Sequence, residues 1–473
     1  MLSCSSPLLV PDPDRAGHKE EAEPLKDEDT AERRVEIRDV DFARAFDEHY
    51  DSSCVEKTDT AVSDSKIQAL KDKQVHSFRY PPLRLNKRPV RILLRSDVSR
   101  SVVYSPSRTA IVSSSEPLYF RGRLELKASN DTETIAATVN NQTKVLSLPC
   151  TLKIKSEVQA IDVEEDSYRG ALILVSKKKG TFSIVNLVDV EDYLRGVVPK
   201  EMGSLPESDI EALKSQAVAA RTYSYQRMAA NENNFFDMHR TVADQVYGGA
   251  NVEFRTTDLA VRMTKDLVLS YNNTLVHAYY HSTCGGRTAN VEDIWGHNPY
   301  PYLKSVVDTD SRGKSWCSIS RYYTWEESWS TRQLSNTLSQ FSSEGRLAHP
   351  YSGSVRDIRV NERFSCGRIK ECSIRSTVGE YSVGGDRIRF LMRRNTQSRG
   401  ILRSSRFEIK SLDRNRVQIA GSGFGHGIGM CQMGAIGRSR AGQSFEQILK
   451  AYYTGVQIRT AVSFSPHSVA EGH

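Results

Sequence analysis

A chain of 473 residues that is 38% hydrophobic, 26% charged and 8% aromatic is long enough for two or three domains with an ample core. It holds no apolar run of about 18 residues, which excludes a membrane-spanning helix, and its 29 glycines and 16 prolines exclude collagenous and wholly disordered chains. The net charge of +7 is uneven: residues 1–60 carry 17 acidic and 8 basic side chains, and the remainder is +16. A basic body behind an acidic head points to an anionic partner, whether nucleic acid, a membrane surface or an acidic polysaccharide.

Residues 1–80 are rich in Asp, Glu, Lys, Ser and Pro and read as a mostly disordered acidic leader or tether, with one short helix near Val35–Phe46. The first ten residues lack a basic n-region and a long apolar stretch, so an export signal is not evident. Leu2-Ser3-Cys4 resembles the end of a lipoprotein cleavage box, consistent with an N-terminal membrane tether. From about Pro89 the texture changes to β-branched segments bounded by Ser, Asn or Gly: Val90–Leu94, Ala110–Val112, Leu118–Phe120, Ala171–Val175 and Phe182–Val188. These predict a mostly antiparallel sheet.

The clearest helix begins at Ser208, where Ser208 and Glu211 form a capping-box pattern after Pro206 and an alanine-rich run continues to Met228. Ile210, Leu213, Ala217 and Ala220 share one stripe, whose small residues permit close packing. A second helix from Thr256 to Val268 passes into a strand at Leu267–Tyr271. Strands follow near Val355–Val360 and Arg387–Leu391, and a closing helix at Phe445–Tyr453. The fold class is α+β: a β-rich N-terminal part leads into a mixed α/β body that contains an alanine-rich buried helix. The eight cysteines form no CxxC pair, so a zinc ribbon or thioredoxin-like motif is unsupported. Cys366 and Cys372 bracket a short loop and are either a small disulfide or two free thiols.

Three segments carry chemistry. In Glu191–Met202 a strand runs into a loop fixed by Pro199, and Glu201 precedes the capped helix. Flanked by Met202 and Val197–Val198, Glu201 is either a partly desolvated general acid, its pKa raised toward a useful value, or a solvated loop carboxylate. In His281–Asn290, His281 and Cys284 invite a thiol nucleophile or a metal pair, but a second ligand pair is absent and three residues along one loop rarely place a base on a nucleophile. A turn whose hydroxyls and amides line a cleft fits better, with Gly285-Gly286 giving close backbone approach. In Gly421–Ala435, glycine occupies every second position from 421 to 429 without the spacing of a phosphate loop. That bare face suits either a long polymer lying against it, with His426 projecting among the glycines, or tight sheet packing.

Together the segments resemble the stage II sporulation protein D family, which includes the amidase enhancers of bacterial cell walls. The matching pieces run in family order from about residue 90 to 457: Tyr168–Gly170, Asn186–Met202, Ala212–Tyr223, Gln245–Gly249, His281–Thr288, Glu292–Gly296, Pro301–Val306 and Gly423–Ala435. On this resemblance residues 81–180 are the β-rich N-terminal part of the sporulation-protein-D-like domain, 181–460 its catalytic body and 461–473 a tail.

The resemblance implies a lytic transglycosylase that cuts peptidoglycan glycan strands, in denuded form, between N-acetylmuramic acid and N-acetylglucosamine, in wall remodelling or division. Its catalytic acid falls on Glu201. One carboxyl suffices, because the nucleophile is the substrate's own C6 hydroxyl, which closes a 1,6-anhydro ring. Gln216, Arg221, Tyr223, Gln245, Tyr247, Ser282 and His426 are the candidate substrate-binding residues. The partners implied are glycan strands and a cell-wall amidase that removes stem peptides, not nucleic acid, and the location is extracytoplasmic, in the periplasm or cell envelope. The alternative is a non-catalytic, wall-binding enhancer of an amidase. Some relatives bind zinc through a Cys-x4-His-Cys run before Gln-x-Tyr; here Met238, Ala243 and Asp244 stand in those places, so no zinc is expected there and no metal or cofactor in the chain, and His239 reads as a surface or packing histidine. The insertion around Thr331–Arg356 lies outside the pattern.

Overall fold

The computed structural model describes residues 80–463 apart from 114–116, 155–159, 297, 343–346 and 348. The expectations for the acidic leader, its short helix, the membrane tether and the tail beyond Ser463 lie outside the described residues. Among the described residues no helix is long and apolar enough to cross a membrane.

The fold is α+β. Its largest sheet has 11 strands among the described residues, ordered Met238–His239, Val90–Val98, Phe182–Val188, Ala171–Val175, Cys150–Ile154, Arg100–Val112, Leu118–Ala128, Thr134–Val139 and Gln142–Ser147, with Ile161–Val163 and Asp166–Tyr168 branching from Arg100–Val112. Pairing is antiparallel except where Met238–His239 runs parallel to Val90–Val98. Phe182–Val188 is buried at nearly every residue, as a central strand covered on both faces must be. A second sheet joins Pro82–Leu85, Gln457–Ser463, Leu267–Tyr271 and Thr274–Leu275.

The helices are α1 (Val190–Met202), α2 (Ile210–Ala230), α3 (Arg255–Met263), α4 (Val291–Trp295), α5 (Thr331–Ser342), α6 (Arg387–Leu391), α7 (Gln432–Arg440) and α8 (Phe445–Tyr452). Helix α2 is small or apolar around most of its circumference and is buried almost continuously from Ala212 to Tyr225, the signature of a helix enclosed in a core. Ala217, Ala219 and Ala220 let its neighbours approach, and the Leu269 N–H of the adjacent strand donates to Thr222 Oγ1 at 2.9 Å.

Three local expectations differ from the structure. The loop expected around Pro199 is the C-terminal part of α1, with Pro199 and Glu201 both inside the helix. The proline removes the donor that the Arg195 carbonyl would otherwise receive, and near it the Gly196 carbonyl also takes the Gly248 N–H, at 3.0 Å. The Ser208–Glu211 capping box does not form: a short 3-10 turn spans Glu207–Asp209, and Glu211 serves one distant partner, the Phe445 N–H of α8 at 2.7 Å, and one on its own helix, Lys214 Nζ at 2.6 Å. Arg387–Leu391 is one turn of helix, not a strand. Ile388 and Leu391 face the core three residues apart, and Arg389 Nη1 donates back to Asp386 at 2.8 Å.

Residues 181–460 also hold a second core. Trp325, Trp329, Leu334, Leu338, Ile374, Ile388 and Ile419 cluster apart from the main core, between two three-stranded sheets. Thr324–Ser330 and Arg416–Ser422 pair antiparallel, so the two ends of this unit meet as Thr324 opposite Ser422. Cys366 belongs to the main core and Cys372 to the second; both are free thiols.

Candidate active site

Glu201 lies at the end of α1 with no solvent exposure. Its Oε1 accepts the Val246 N–H at 3.1 Å and its Oε2 the Gln432 side-chain amide at 3.3 Å, so two donors from different elements fix the plane of the carboxyl. Gln432 sits at the first position of α7, straight after the glycine-rich run, and its Nε2 also donates to Gln216 Oε1 of α2 at 3.4 Å. Gln216 Nε2 and Gln432 Oε1 are both buried without a hydrogen-bond partner, an arrangement rare in protein interiors.

Gln245 forms the next layer. Its Oε1 accepts from the Tyr193 and Ser224 hydroxyls, both at 3.2 Å, and its Nε2 donates to Tyr280 Oη at 2.9 Å and the Ala220 carbonyl at 3.3 Å. Burial, and after it the Glu201 carboxyl, pushes the Tyr280 phenol well above its ordinary pKa, so Tyr280 stays neutral. His426 Nε2 faces the Tyr280 carbonyl at 3.0 Å, and its Nδ1 accepts the Ile428 N–H at 3.0 Å. These bonds assign the neutral tautomer with the proton on Nε2. Burial also holds the His426 pKa well below its usual value. The imidazole is therefore a fixed strut between the glycine-rich run and the strand Tyr280–His281 rather than a proton shuttle.

The other candidates lie elsewhere. The Arg221 fork pairs with Glu191 (Nε–Oε1 2.8 Å, Nη2–Oε2 2.6 Å) and with the Leu267 and Val261 carbonyls, a tie between α1, α3 and the following strand. Tyr223 donates to Asp244 at 3.0 Å, and Tyr247 donates to Asn186 at 3.1 Å while packing on Tyr193 and Gly196. Ser282 is buried, its hydroxyl 3.2 Å from that of Thr283. Thus Gln216 reaches Glu201 through Gln432, and Gln245 and His426 lie behind Tyr280 in the next layer, whereas Arg221, Tyr223, Tyr247 and Ser282 make their hydrogen bonds with other parts of the chain.

Sequence reasoning passed over Gln432, Tyr193, Ser224 and Tyr280; the one cue was that Gln432 is the first polar residue after the glycine run. The glycine face itself is filled by protein. A Cβ at Gly421 would meet the Trp325 ring at 2.3 Å, at Gly423 the Thr283 carbonyl at 2.7 Å, at Gly427 the Arg368 guanidinium at 2.5 Å and at Gly429 the Tyr279 carbonyl at 2.0 Å. Of the two readings of that run, tight packing is the one realised.

A row of half-buried aromatic rings leads from the surface to this centre. Tyr300 stands 4.8 Å from His277, which stacks on Tyr279 at 5.7 Å, and Trp295 lies 4.8 Å from Tyr279 and 4.9 Å from His426. A separate open groove of about 620 Å³ lies on the second core, lined by Trp325, Glu326, Arg363, Arg406, Phe407 and Glu408 among others; Glu201 does not line it.

At the place where some relatives hold zinc, Met238 is buried in the core and the Asp244 carboxylate is occupied by Tyr223, an ion pair with Arg227 at 3.0 Å and the His239 N–H at 2.8 Å. His239 packs against Phe236. This donor set does not fit a zinc ion.

These features define an α+β protein built around one enclosed glutamate. A family model described as stage II sporulation protein matches residues 178–271, and a domain of unknown function, DUF8618, matches 316–429. An uncharacterized protein of Brachyspira hyodysenteriae is 32% identical over 299 residues, covering 62% of this chain and 72% of that protein. The amidase enhancer of Bacillus subtilis is 32% identical over 296 residues (56% of this chain, 40% of the enhancer), and stage II sporulation protein D of the same organism is 28% identical over 296 residues (59% and 77%). The chain belongs to the stage II sporulation protein D family.

Proposed function

We propose that the protein is a lytic transglycosylase acting on peptidoglycan glycan strands outside the cytoplasmic membrane, with Glu201 as its acid and base. The supporting observation is the chain of two buried amide side chains that starts at Glu201, Gln432 on the carboxyl and Gln216 on Gln432, each with an unpartnered polar atom. A donor and an acceptor beside one carboxyl are what a sugar hydroxyl can satisfy, and leaving them unmet costs about 1–3 kcal/mol each. The aromatic row suits the apolar faces of successive sugar rings. Glu201 protonates the glycosidic oxygen as the bond to C1 of the muramic residue breaks. The carboxylate then takes the proton of that residue's C6 hydroxyl as its oxygen bonds to C1, and the 1,6-anhydro product leaves with the carboxyl restored. Val246 N–H and the Gln432 amide hold the carboxyl in one orientation through both steps. Because Glu201 is fully enclosed, glycan entry requires the aromatic row to part.

That enclosure, together with the similarity to an amidase enhancer, favours a second reading, in which the chain binds glycan and stimulates an amidase without cleaving. Mass spectrometry of soluble products from denuded peptidoglycan separates the two. Anhydro-muramic ends released by the wild type and not by Glu201→Gln support the enzyme. Equal release by both moves the catalytic role elsewhere. Binding without release by either supports the enhancer.

A further inference from the structure

Away from Glu201, three cysteines that are distant in sequence converge with one aspartate. Cys284 lies on the Gly285-Gly286 turn, Cys317 in a 3-10 turn (Trp316–Ile319), and Cys431 at the N-cap of α7; Asp308 stands beside them. All four are buried, and their ligand atoms lie within 4.8 Å of one another. Cys284 Sγ is 3.5 Å from Cys317 Sγ and 3.3 Å from Asp308 Oδ2. Tetrahedral zinc with Zn–S bonds of about 2.3 Å sets its sulfurs about 3.8 Å apart, so the cluster needs only small adjustments to enclose one ion. An iron–sulfur cluster, with several metal atoms between the thiolates, would spread them further.

The surroundings are built for thiolates and for a directed carboxylate. Backbone N–H groups point at sulfur: Gly286 to Cys284 and Gly434 to Cys431 at 3.3 Å, and Cys284 to Cys431 at 3.2 Å. Asp308 Oδ1 is held by Arg438 Nε and Nη2 at 3.2 and 3.0 Å and by the Tyr452 hydroxyl at 2.9 Å, which leaves Oδ2 turned toward the thiols. Such outer partners orient metal ligands. Gly434 is required for this approach, since a Cβ there would lie 2.4 Å from Asp308 Oδ2.

We propose that Cys284, Cys317, Cys431 and Asp308 form a structural site for one Zn²⁺ ion. Three thiolates and a carboxylate form a closed, sulfur-rich tetrahedral set suited to zinc, and binding releases the three thiol protons to solvent without any redox change. The ion pins the start of α7 to the Cys284 turn. Gln432 is the next residue along, so the site also sets the position of the amide that holds Glu201. This inference does not depend on the reaction proposed above.

The test is metal analysis of the full chain purified under reducing conditions. We expect about one zinc per chain, falling below about a tenth in Cys317→Ser and Cys431→Ser. Cys150→Ser, at a buried cysteine outside the cluster, retains its zinc, and Asp308→Cys binds the ion as a four-thiolate site. Should the serine variants fold poorly, the wild type decides alone. Replacing zinc with Co²⁺ gives thiolate charge-transfer absorption and intense tetrahedral d–d bands, and a strong chelator lowers Tm. Wild-type protein that contains no metal and takes up neither Zn²⁺ nor Co²⁺ overturns the proposal, whether its cysteines then label as free thiols or Cys284 and Cys317 prove to be cross-linked. So does zinc retained at full occupancy in both serine variants.

Discussion

Substituting Arg221 separates a structural tie from a substrate contact. The guanidinium is fully buried and grips Glu191, whose side chain is 20% exposed, through two bonds of 2.8 and 2.6 Å. In Arg221→Met the apolar stem is largely replaced, but Glu191 keeps only the Asp266 N–H at 3.3 Å, and the Leu267 and Val261 carbonyls each lose a donor. Breaking a buried pair from one side costs about 3–5 kcal/mol. The partial exposure of Glu191 lets water take over some of that role, which places the loss near about 3 kcal/mol, equivalent to a fall in Tm of about 4 °C for a folded body of this size. Arg221→Met/Glu191→Leu, which leaves no stranded charge, recovers most of it. Thermal melts followed by circular dichroism give the stability, and product release at low temperature, per folded molecule, gives the activity. A Tm within about 2 °C of wild type combined with lost product release would refute this reasoning and return Arg221 to the cleft.

Gly429→Ala adds a Cβ 2.0 Å from the Tyr279 carbonyl at a φ of +69°, and is expected to cost about 3 kcal/mol or more, read as a lower denaturation midpoint at unchanged m-value. Gln432→Leu removes the amide from Glu201 and, on the proposed mechanism, lowers kcat about 10–100-fold with little change in KM; an unchanged kcat shows that the amide does not position the carboxyl. His281 is held down to about pKa 3 by burial, from an ordinary value of 6.5, and burial also lowers His426. Both are neutral when folded while the unfolded chain protonates below pH 6.5, so stability is present above that pH and is lost as pH falls toward 3, by up to about 1.4 kcal/mol per pH unit for each. His281→Gln flattens that slope in urea titrations between pH 6.5 and 4, and an unaltered slope excludes the assignment.

Much of the architecture was legible in the sequence because one period dominated each stretch. The β-branched runs at Val90–Leu94, Ala171–Val175 and Phe182–Val188 are strands, and the alanine-rich run is the enclosed helix α2. Failures came where a distant partner overrode a local signal. Glu211 matches a capping box, yet its carboxylate is drawn to the Phe445 N–H 234 residues away. Pro199 reads as a break, but the helix continues one turn past it, with Val197, Val198, Glu201 and Met202 all buried against the rest of the chain. The second core was hidden because its strands resemble those of the first, and only the pairing of Thr324 with Ser422 marks it off. At the candidate site the carboxyl and Gln216, Gln245 and His426 could be named from motifs. Gln432 could not, since its role depends on α7 beginning at that residue. The three cysteines stand 33 and 114 positions apart along the chain, a spacing that no short pattern captures.

The paired ends of the second core make it a module with a doorway: the chain leaves the main body at Thr324 and returns beside it at Ser422. A short turn could in principle close that gap and leave the strand order of the main sheets untouched. The module is nevertheless no passenger, because from its side Arg406 donates to the Gly285 carbonyl at 2.7 Å, Arg368 to the Gly425 carbonyl at 2.8 Å and Trp325 to the Gly423 carbonyl at 2.8 Å. Excision would strip the donors from the two glycine turns that carry Cys284 and His426. Swapping the module between relatives therefore exchanges the buttress of the site along with the groove above it, and any change in fit at that doorway reaches the glutamate through the backbone of its neighbours.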